Sequence, residues 1–370
     1  MTRFDRNRRQ VLRAAGATTL AVAFGGPLLT SSRAAVARSV KTIRWGVVGT
    51  GSIANSMAGM IRMADACEIT AVSSRRMETA REFAQAHHVP NAFASWQEMI
   101  DSAAVDAVYV ATPTSVREEI CIAAAQGGKH VLGEKPFASL PSVKRITAAC
   151  RDNGVAFMDG THFVHHPRTL DIRRRREERL GSVWSVASAF QFNLTDRGNI
   201  RFNSELEPMG AIGDAGWYNM RAAVEYLPPG VVLETASAHL RRDAGTGAAL
   251  SGSGVLRFSD GSTSTWNCGF DSGAVVMDLR ITGTGGVINI DDFLSQNRDG
   301  SADLLYRKGG WSRGESEEIN IPSAKPGAAL MFEDMAAAAA DPSLREQWMS
   351  ATERTQALLD AAWAAALQSE

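Results

Sequence analysis

Two short stretches of the chain carry residue types that imply chemistry: Gly49-Thr50-Gly51-Ser52-Ile53-Ala54 and Glu134-Lys135-Pro136. In the first, Gly49 permits a tight turn, Gly51 lets the backbone approach a pyrophosphate, and the small Ala54 allows a helix to pack on the preceding strand. A helix opening at this point presents unpaired N–H groups and a positive dipole end to phosphates, with Thr50, Ser52 and Ile53 completing the cradle. Further on, Ser73-Ser74-Arg75-Arg76 falls where a dinucleotide-binding turn usually places an Asp or Glu for the ribose 2′-hydroxyl. Hydroxyls and guanidinium groups suit a 2′-phosphate instead, so NADP is expected in preference to NAD. The plainer alternative is that Arg75 and Arg76 are exposed charges opening the next helix. Lys135 brings a cation that can lower the pKa of a neighbouring hydroxyl, although the tripeptide taken alone also reads as a solvated turn.

These residues need elements to hold them. Apolar runs at Ile43–Val48, Glu68–Ser73, Ala107–Ala111, Lys129–Gly133 and Val155–Asp159 read as buried strands. Helical patterns at Ile53–Ala64, Thr79–Ala86, Trp96–Ser102, Glu118–Gln126 and Leu140–Asn153 alternate with them. Such βαβ alternation predicts an α/β domain, a parallel sheet covered on both faces. It places the Gly49 turn and Lys135 at the carboxyl ends of strands, where open α/β sheets bind ligands. Beyond Val164 the pattern becomes strand after strand: Val183–Phe192, Val232–His239, Gly254–Phe258, Thr263–Phe270, Val276–Gly283 and Gly286–Asp291, with a hairpin signal at Ser259-Asp260-Gly261-Ser262. That predicts an α+β domain built on a mostly antiparallel open sheet. The Ala-rich stretch Ala328–Leu367 reads as helix interrupted at Asp341-Pro342. The expected division is a leader at 1–37, a nucleotide-binding domain at 38–160, a substrate and oligomerisation domain at 161–327, and C-terminal helices at 328–370 packing back on the nucleotide domain.

Composition excludes several classes. Lys and Arg number 39 against 40 Asp and Glu, which argues against nucleic acid as a partner. The basic run Arg173–Arg176 is followed by Glu177 and Glu178 and reads as a solvated helix face. Four cysteines at wide spacing match no zinc pattern and no CxxC motif. At the N-terminus, Arg3, Arg6, Arg8, Arg9 and Arg13 face only Asp5, an uncharged stretch runs from Ala14 to Leu29, and Ala35-Val36-Ala37 offers a cleavage site. This is the plan of a secretory leader, too short and Gly-rich for a stable membrane anchor. Asn7-Arg8-Arg9-Gln10-Val11-Leu12-Arg13 is similar to a twin-arginine signal, with Asn in place of Ser or Thr. It implies recognition by the twin-arginine translocase and a periplasmic protein exported already folded; an uncleaved arm or a chance Arg pair is the alternative.

Gly49–Ala54, Ala111-Thr112-Pro113-Thr114-Ser115, and Gly128-Lys129-His130-Val131-Leu132-Gly133-Glu134-Lys135-Pro136 together resemble the glucose-fructose oxidoreductase, inositol dehydrogenase and rhizopine-catabolism (Gfo/Idh/MocA) family, in family order and spacing. Gly213-Asp214-Ala215-Gly216-Trp217-Tyr218 is similar to its second catalytic motif, an Asp followed four residues later by His or Tyr. The Tyr is closer to the glucose-fructose oxidoreductase and dimeric dihydrodiol dehydrogenase branches. The resemblance implies hydride transfer between NADP and a small carbonyl or polyol substrate, with Thr112, Pro113, Thr114, Glu134 and Lys135 at the cofactor. It also implies a homo-oligomer and no metal. Arg117 stands where members commonly have His.

The residue chemistry agrees. On a helix Asp214 and Tyr218 share one face about one turn apart. Hydride transfer at a carbinol carbon needs a partner to move the proton on its oxygen, and a tyrosine near pKa 10 is a weak base unless a cation assists. Tyr218 is therefore expected as acid/base, Lys135 as the group that polarises the oxygen and tunes Tyr218, and Asp214 as the residue that orients substrate and lysine. The alternative makes Asp214 a helix cap and Tyr218 a core residue. His162, His165 and His166 invite a metal reading, but pocket or buried structural roles fit better, and His162, His166 and Arg221 are the expected substrate contacts. A non-catalytic NADP-binding sensor or partner protein, and a methyltransferase with its own Gly-rich turn, are the competing classes. The latter would want an acidic residue after the second strand.

Overall fold

The computed structural model describes residues 41–310 and 316–370; the leader expected at 1–37 lies outside the described residues. The first domain is a six-stranded parallel sheet of β1 (Ile43–Val48), β2 (Cys67–Ser73), β3 (Asn91–Phe93), β4 (Ala107–Val110), β5 (His130–Gly133) and β6 (Phe157–Asp159). Their order is β3-β2-β1-β4-β5-β6, the doubly wound arrangement whose chain reversal beside β1 opens a crevice at the carboxyl ends of the strands. All of β4 is buried, which is why it reads as a continuous apolar run and not as an alternation. Helices α1 (Ser52–Met63), α2 (Met77–Ala86), α3 (Trp96–Asp101), α4 (Thr114–Gln126) and α5 (Leu140–Asp152) make the connections.

After α6 (Pro167–Leu180), the chain enters a nine-stranded sheet: β7 (Val183–Asn193), β8 (Leu233–Arg242), β9 (Ala249–Phe258), β10 (Thr263–Gly269), β11 (Asp271–Val276), β12 (Leu279–Gly283), β13 (Gly286–Ile290), β14 (Ala302–Lys308) and β15 (Ser316–Ile321). Every pairing is antiparallel except β7 with β10. One face is covered by α7 (Gly210–Asp214) and α8 (Gly216–Tyr226), and every residue of both helices is buried. On the other face Trp184 is 52% and Val255 41% exposed.

The last helices, α9 (Gly327–Ala340) and α10 (Pro342–Gln368), divide at the expected Asp341-Pro342. Phe332 of α9 meets Trp45 of β1 edge-on at 5.0 Å. From α10, Gln356 accepts from the Phe137 amide (3.1 Å) and Asp360 from the Leu140 amide (2.6 Å), while the same helix packs on α8 and β8. The C-terminal helix thus touches both domains.

Several local expectations are corrected. Of the strand expected at Val276–Gly283, Leu279–Gly283 forms β12, while Val276 ends a separate strand, β11, that starts at Asp271. β14 and the edge strand β15 depart from the expectation, because Asp303, Arg307, Lys308, Glu317 and Glu318 mask their alternation. Helix α4 begins at Thr114, four residues before its apolar pattern, with Pro113 at its cap. In the basic run, Arg173 is not on a solvated face: it pairs inward with Glu225, while Arg174 and Arg175 are exposed.

Candidate active site

The phosphate turn is held by its own backbone. Gly49 has φ +100°, and a Cβ there would lie 2.8 Å from the Ala111 carbonyl oxygen, so only glycine fits. At Gly51 a Cβ would meet no protein atom within 4 Å, and no side chain caps α1. The first-turn N–H groups are therefore available to phosphate oxygens. Asn55, which sequence reasoning missed, donates to the carbonyls of Thr50 (3.1 Å) and Gly51 (2.9 Å) and keeps the turn in shape. Ile53 is 42% exposed at the mouth of this turn, beside exposed Ser52.

At the end of β2 the Ser73 hydroxyl is buried without a protein partner. Ser74 Oγ and Thr79 Oγ1 share a hydrogen bond at 2.7 Å. Arg75 and Arg76 are exposed and have no ion-pair partner among the described residues. At the end of β4, Thr112 also has a buried hydroxyl without a partner. These orphaned hydroxyls and unpaired guanidinium groups fit a phosphorylated dinucleotide. Two other expected cofactor residues are engaged elsewhere. Thr114 donates through its amide (3.0 Å) and hydroxyl (2.6 Å) to Glu207, and Glu134 is buried, accepting from Tyr109 (2.5 Å). Arg117, on α4, donates to the carbonyls of Thr112 and Pro136, tying the Pro113 turn to the Lys135 turn.

Lys135, Asp214 and Tyr218 come together at the carboxyl edge of the nucleotide sheet. Lys135 Nζ donates to Asp214 Oδ1 at 2.6 Å and to the Asp214 carbonyl at 3.0 Å. That carbonyl is free because the helix breaks at Ala215 between α7 and α8, and the Tyr218 amide bonds to Ala215 instead (3.2 Å). A glycine at 213 is needed for the approach, since a Cβ there would stand 3.2 Å from Pro136 Cγ and 2.9 Å from Met209 Cβ. Arg201 Nε holds the other Asp214 oxygen at 2.8 Å. Sequence reasoning missed Arg201; its only signal was Asn199, whose side chain accepts from the Arg201 amide and caps a short 3-10 turn at Ile200–Phe202. Lys135 Nζ lies over the Tyr218 ring, 4.8 Å from its centroid. Rings of Phe190 and His162 stand 5.5 and 5.8 Å from that of Tyr218. The Tyr218 hydroxyl makes no hydrogen bond to protein among the described residues.

The electrostatics follow. Burial penalises the Asp214 carboxylate, but Lys135 and Arg201 outweigh this and hold it well below the usual carboxylate range. Burial also opposes the charge on Lys135, yet the attraction of Asp214 leaves its pKa raised, so it is an ammonium at neutral pH. For Tyr218 burial wins over the pull of Lys135 and pushes the hydroxyl up to about 12. Lys135 lowers the Tyr218 pKa as expected, but burial is the larger effect, so the hydroxyl stays protonated at neutral pH. Burial and the Lys135 charge lower His162 to about 4, so it is neutral.

Two expected substrate contacts are structural. His166 caps α6, accepting from the Arg168 amide (3.0 Å), and its Nε2 is 2.9 Å from the Gly300 carbonyl. Arg221 is fully buried between Asp159 (2.7 Å) and Glu225 (2.8 Å). His165 pairs with Asp334 at 2.7 Å. Among the described residues no group of His, Cys, Asp and Glu is arranged to hold a metal.

Fold and site define a two-domain nucleotide-binding oxidoreductase. The chain belongs to the Gfo/Idh/MocA family: residues 43–161 match its oxidoreductase domain with NAD-binding Rossmann fold, and residues 173–289 match a C-terminal domain of the family. It is 30% identical to the NADP(+)-dependent D-xylose 1-dehydrogenase 2 of Haloferax volcanii over 72% of this chain and 81% of the relative. It is 30% identical to the NADP(+)-dependent scyllo-inositol 2-dehydrogenase of Bacillus subtilis over 79% of this chain and 86% of that one. In three dimensions it is similar to a 3-ketoreductase from Actinomadura kijaniata, solved with NADP and TDP-benzene, with a TM-score of 0.79 and 26% identity, covering 87% of this chain and 97% of that chain.

Proposed function

We propose that the protein is an NADP(H)-dependent oxidoreductase acting on the CH–OH or C=O group of a sugar, polyol or dihydrodiol-type substrate. The observation that carries this reading is the 2.6 Å contact of Lys135 with Asp214 beside the unpaired Tyr218 hydroxyl, at the sheet edge where the phosphate turn lies. The names of the xylose and inositol dehydrogenases and the ligand of the ketoreductase support NADP, as do Ser73, Ser74 and Arg75. The turn at 49–53, Ser73, Ser74, Arg75 and Thr112 would hold the cofactor, and when bound its nicotinamide supplies or accepts the hydride. As the carbonyl carbon gains hydride and its electron pair moves onto oxygen, Tyr218 gives that oxygen its hydroxyl proton. Lys135, kept charged and in place by Asp214, stabilises the negative charge until the proton arrives. Phe190 and His162 flank the ring.

The test is to load purified protein with NADPH and follow nicotinamide absorbance against a panel of aldoses, ketoses, inosones and hydroxyketones. No oxidation with any of them, alongside normal cofactor binding, favours the sensor reading instead.

Three further parts of the reading extend it. The leader supports export by the twin-arginine route to the periplasm, which has no general pool of free NADP. The cofactor is then loaded before export, held tightly, and recycled by alternating reduction and oxidation of two substrates. Protein recovered from periplasm without stoichiometric nicotinamide would contradict this. Exposed Trp184 and Val255 on the uncovered sheet face support a homo-oligomer, which light scattering would read directly.

A further inference from the structure

Asp214 holds two cations, and the role assigned above uses only one. Lys135 is 8% exposed and spends two of its three donors on the Asp214 carboxylate and carbonyl. Arg201 forms an ion pair with the opposite oxygen of the same carboxylate, its Nε 2.8 Å away, and its side chain is 36% exposed. Its other contact is a weak one, Nη1 to Asn199 Oδ1 at 3.5 Å. A guanidinium carries five donors in a fixed fork, and among the described residues only these two side-chain contacts engage it. It lies close enough to Tyr218 for the two to interact electrostatically.

The fork is also held still. Asn199 caps the turn on one side of Arg201. On the other, Phe202 is buried against Phe270 at 5.8 Å, with the Arg197 guanidinium 4.4 Å over its ring. Lys135 and the Tyr218 hydroxyl mark where the reacting oxygen sits. Arg201 stands one carboxylate away, beside Lys135.

From this geometry we infer that Arg201 is a substrate-binding residue that reads an oxygen on the carbon next to the reacting carbon. The inference rests on the oxidoreductase reading for its turnover test, though its binding test does not depend on it. A charge-assisted hydrogen bond is among the stronger polar contacts, and a site that makes one discriminates against the analogue lacking the group. The role of merely neutralising Asp214 predicts no such discrimination.

Two ketones that differ by one neighbouring hydroxyl decide it: 2-hydroxycyclohexanone and cyclohexanone, given to the NADPH-loaded full chain. Wild type is expected to prefer the hydroxyketone by roughly 10- to 100-fold in kcat/KM, and R201Q to bring the ratio within about threefold. R201K, which keeps the charge on Asp214 but loses the fork, is expected to fall between them. A parallel loss on both ketones in R201Q, or a wild type without preference, overturns the inference. Should R201Q fail to fold, the ratio in R201K against wild type decides, and an unchanged ratio overturns it. Binding to the NADPH complex is read separately from nicotinamide fluorescence. Arg201-dependent binding of the hydroxyketone with no reduction of either ketone would refute the hydride-transfer reading and uphold this one. Equal reduction of both ketones would do the reverse.

Discussion

Lys135 and Asp214 are 79 positions apart in the chain and 2.6 Å apart in the fold. One sits on the turn after β5 of the nucleotide sheet, the other at the end of α7 beneath the antiparallel sheet, so their contact closes the two domains over one site. Lys135 is charged because it has Asp214, and Asp214 because it has Lys135 and Arg201. Neither would stay so in that degree of burial alone.

Lys135→Met keeps the length of the side chain and removes its charge. Asp214 retains Arg201 as a partner, so the fold should survive. We expect kcat to fall by roughly 10²–10⁴, the range attributed to losing an electrostatic or acid–base partner, with the NADPH dissociation constant within about threefold, since no phosphate contact is touched. Steady-state kinetics with fluorescence titration of NADPH checks both.

The pH profile separates the two directions. With its pKa raised to about 12 by burial, Tyr218 stays protonated across the neutral range. Reduction needs that proton, so kcat/KM for a ketone should be flat through neutral pH and decline only at strongly alkaline pH. Oxidation needs the deprotonated form and should rise with pH, by about tenfold per unit well below the pKa. Tyr218→Phe should lower kcat by roughly 10²–10⁴ and abolish the rise.

Cofactor choice is assigned to the end of β2. Arg75→Asp introduces an anion where the 2′-phosphate is expected and should raise the NADP dissociation constant by about 10- to 100-fold, leaving NAD little changed. Equal affinities of wild type for NADP and NAD would remove the basis for this assignment.

Arg221 and Asp159 form a buried pair that also engages Thr352 (2.6 Å) and Glu225. Arg221→Met leaves Asp159 charged and without its cation, and should cost about 3–5 kcal/mol in urea unfolding. If the cofactor titration of the folded variant stays normal, Arg221 is structural and not a substrate contact.

The parts of this molecule that were legible in the sequence are those written in short range. Strand, glycine turn and helix around Gly49 depend on a dozen consecutive residues, and the buried parallel strands announce themselves as apolar runs because both faces are covered. Lys135, Asp214 and Tyr218 could be singled out because each sits in a compact motif. Position along the chain, however, carries no information about which charges neutralise each other. Arg201, Arg221 and His166 show this. Arg221 is expected at the substrate, yet it turns inward to Asp159 and Glu225. Arg201 was passed over in a stretch without pattern, yet it shares a carboxylate with Lys135. The tuning of Tyr218 was equally hidden: a cation nearby argues for a lowered pKa, and only the packing of α8 between sheet and α10 makes desolvation the larger effect. Local sequence determined the nucleotide turn and the three reacting groups. The tertiary structure decided their protonation states and the neighbour they share, because burial and ion pairing are set by residues that meet only when the two domains close.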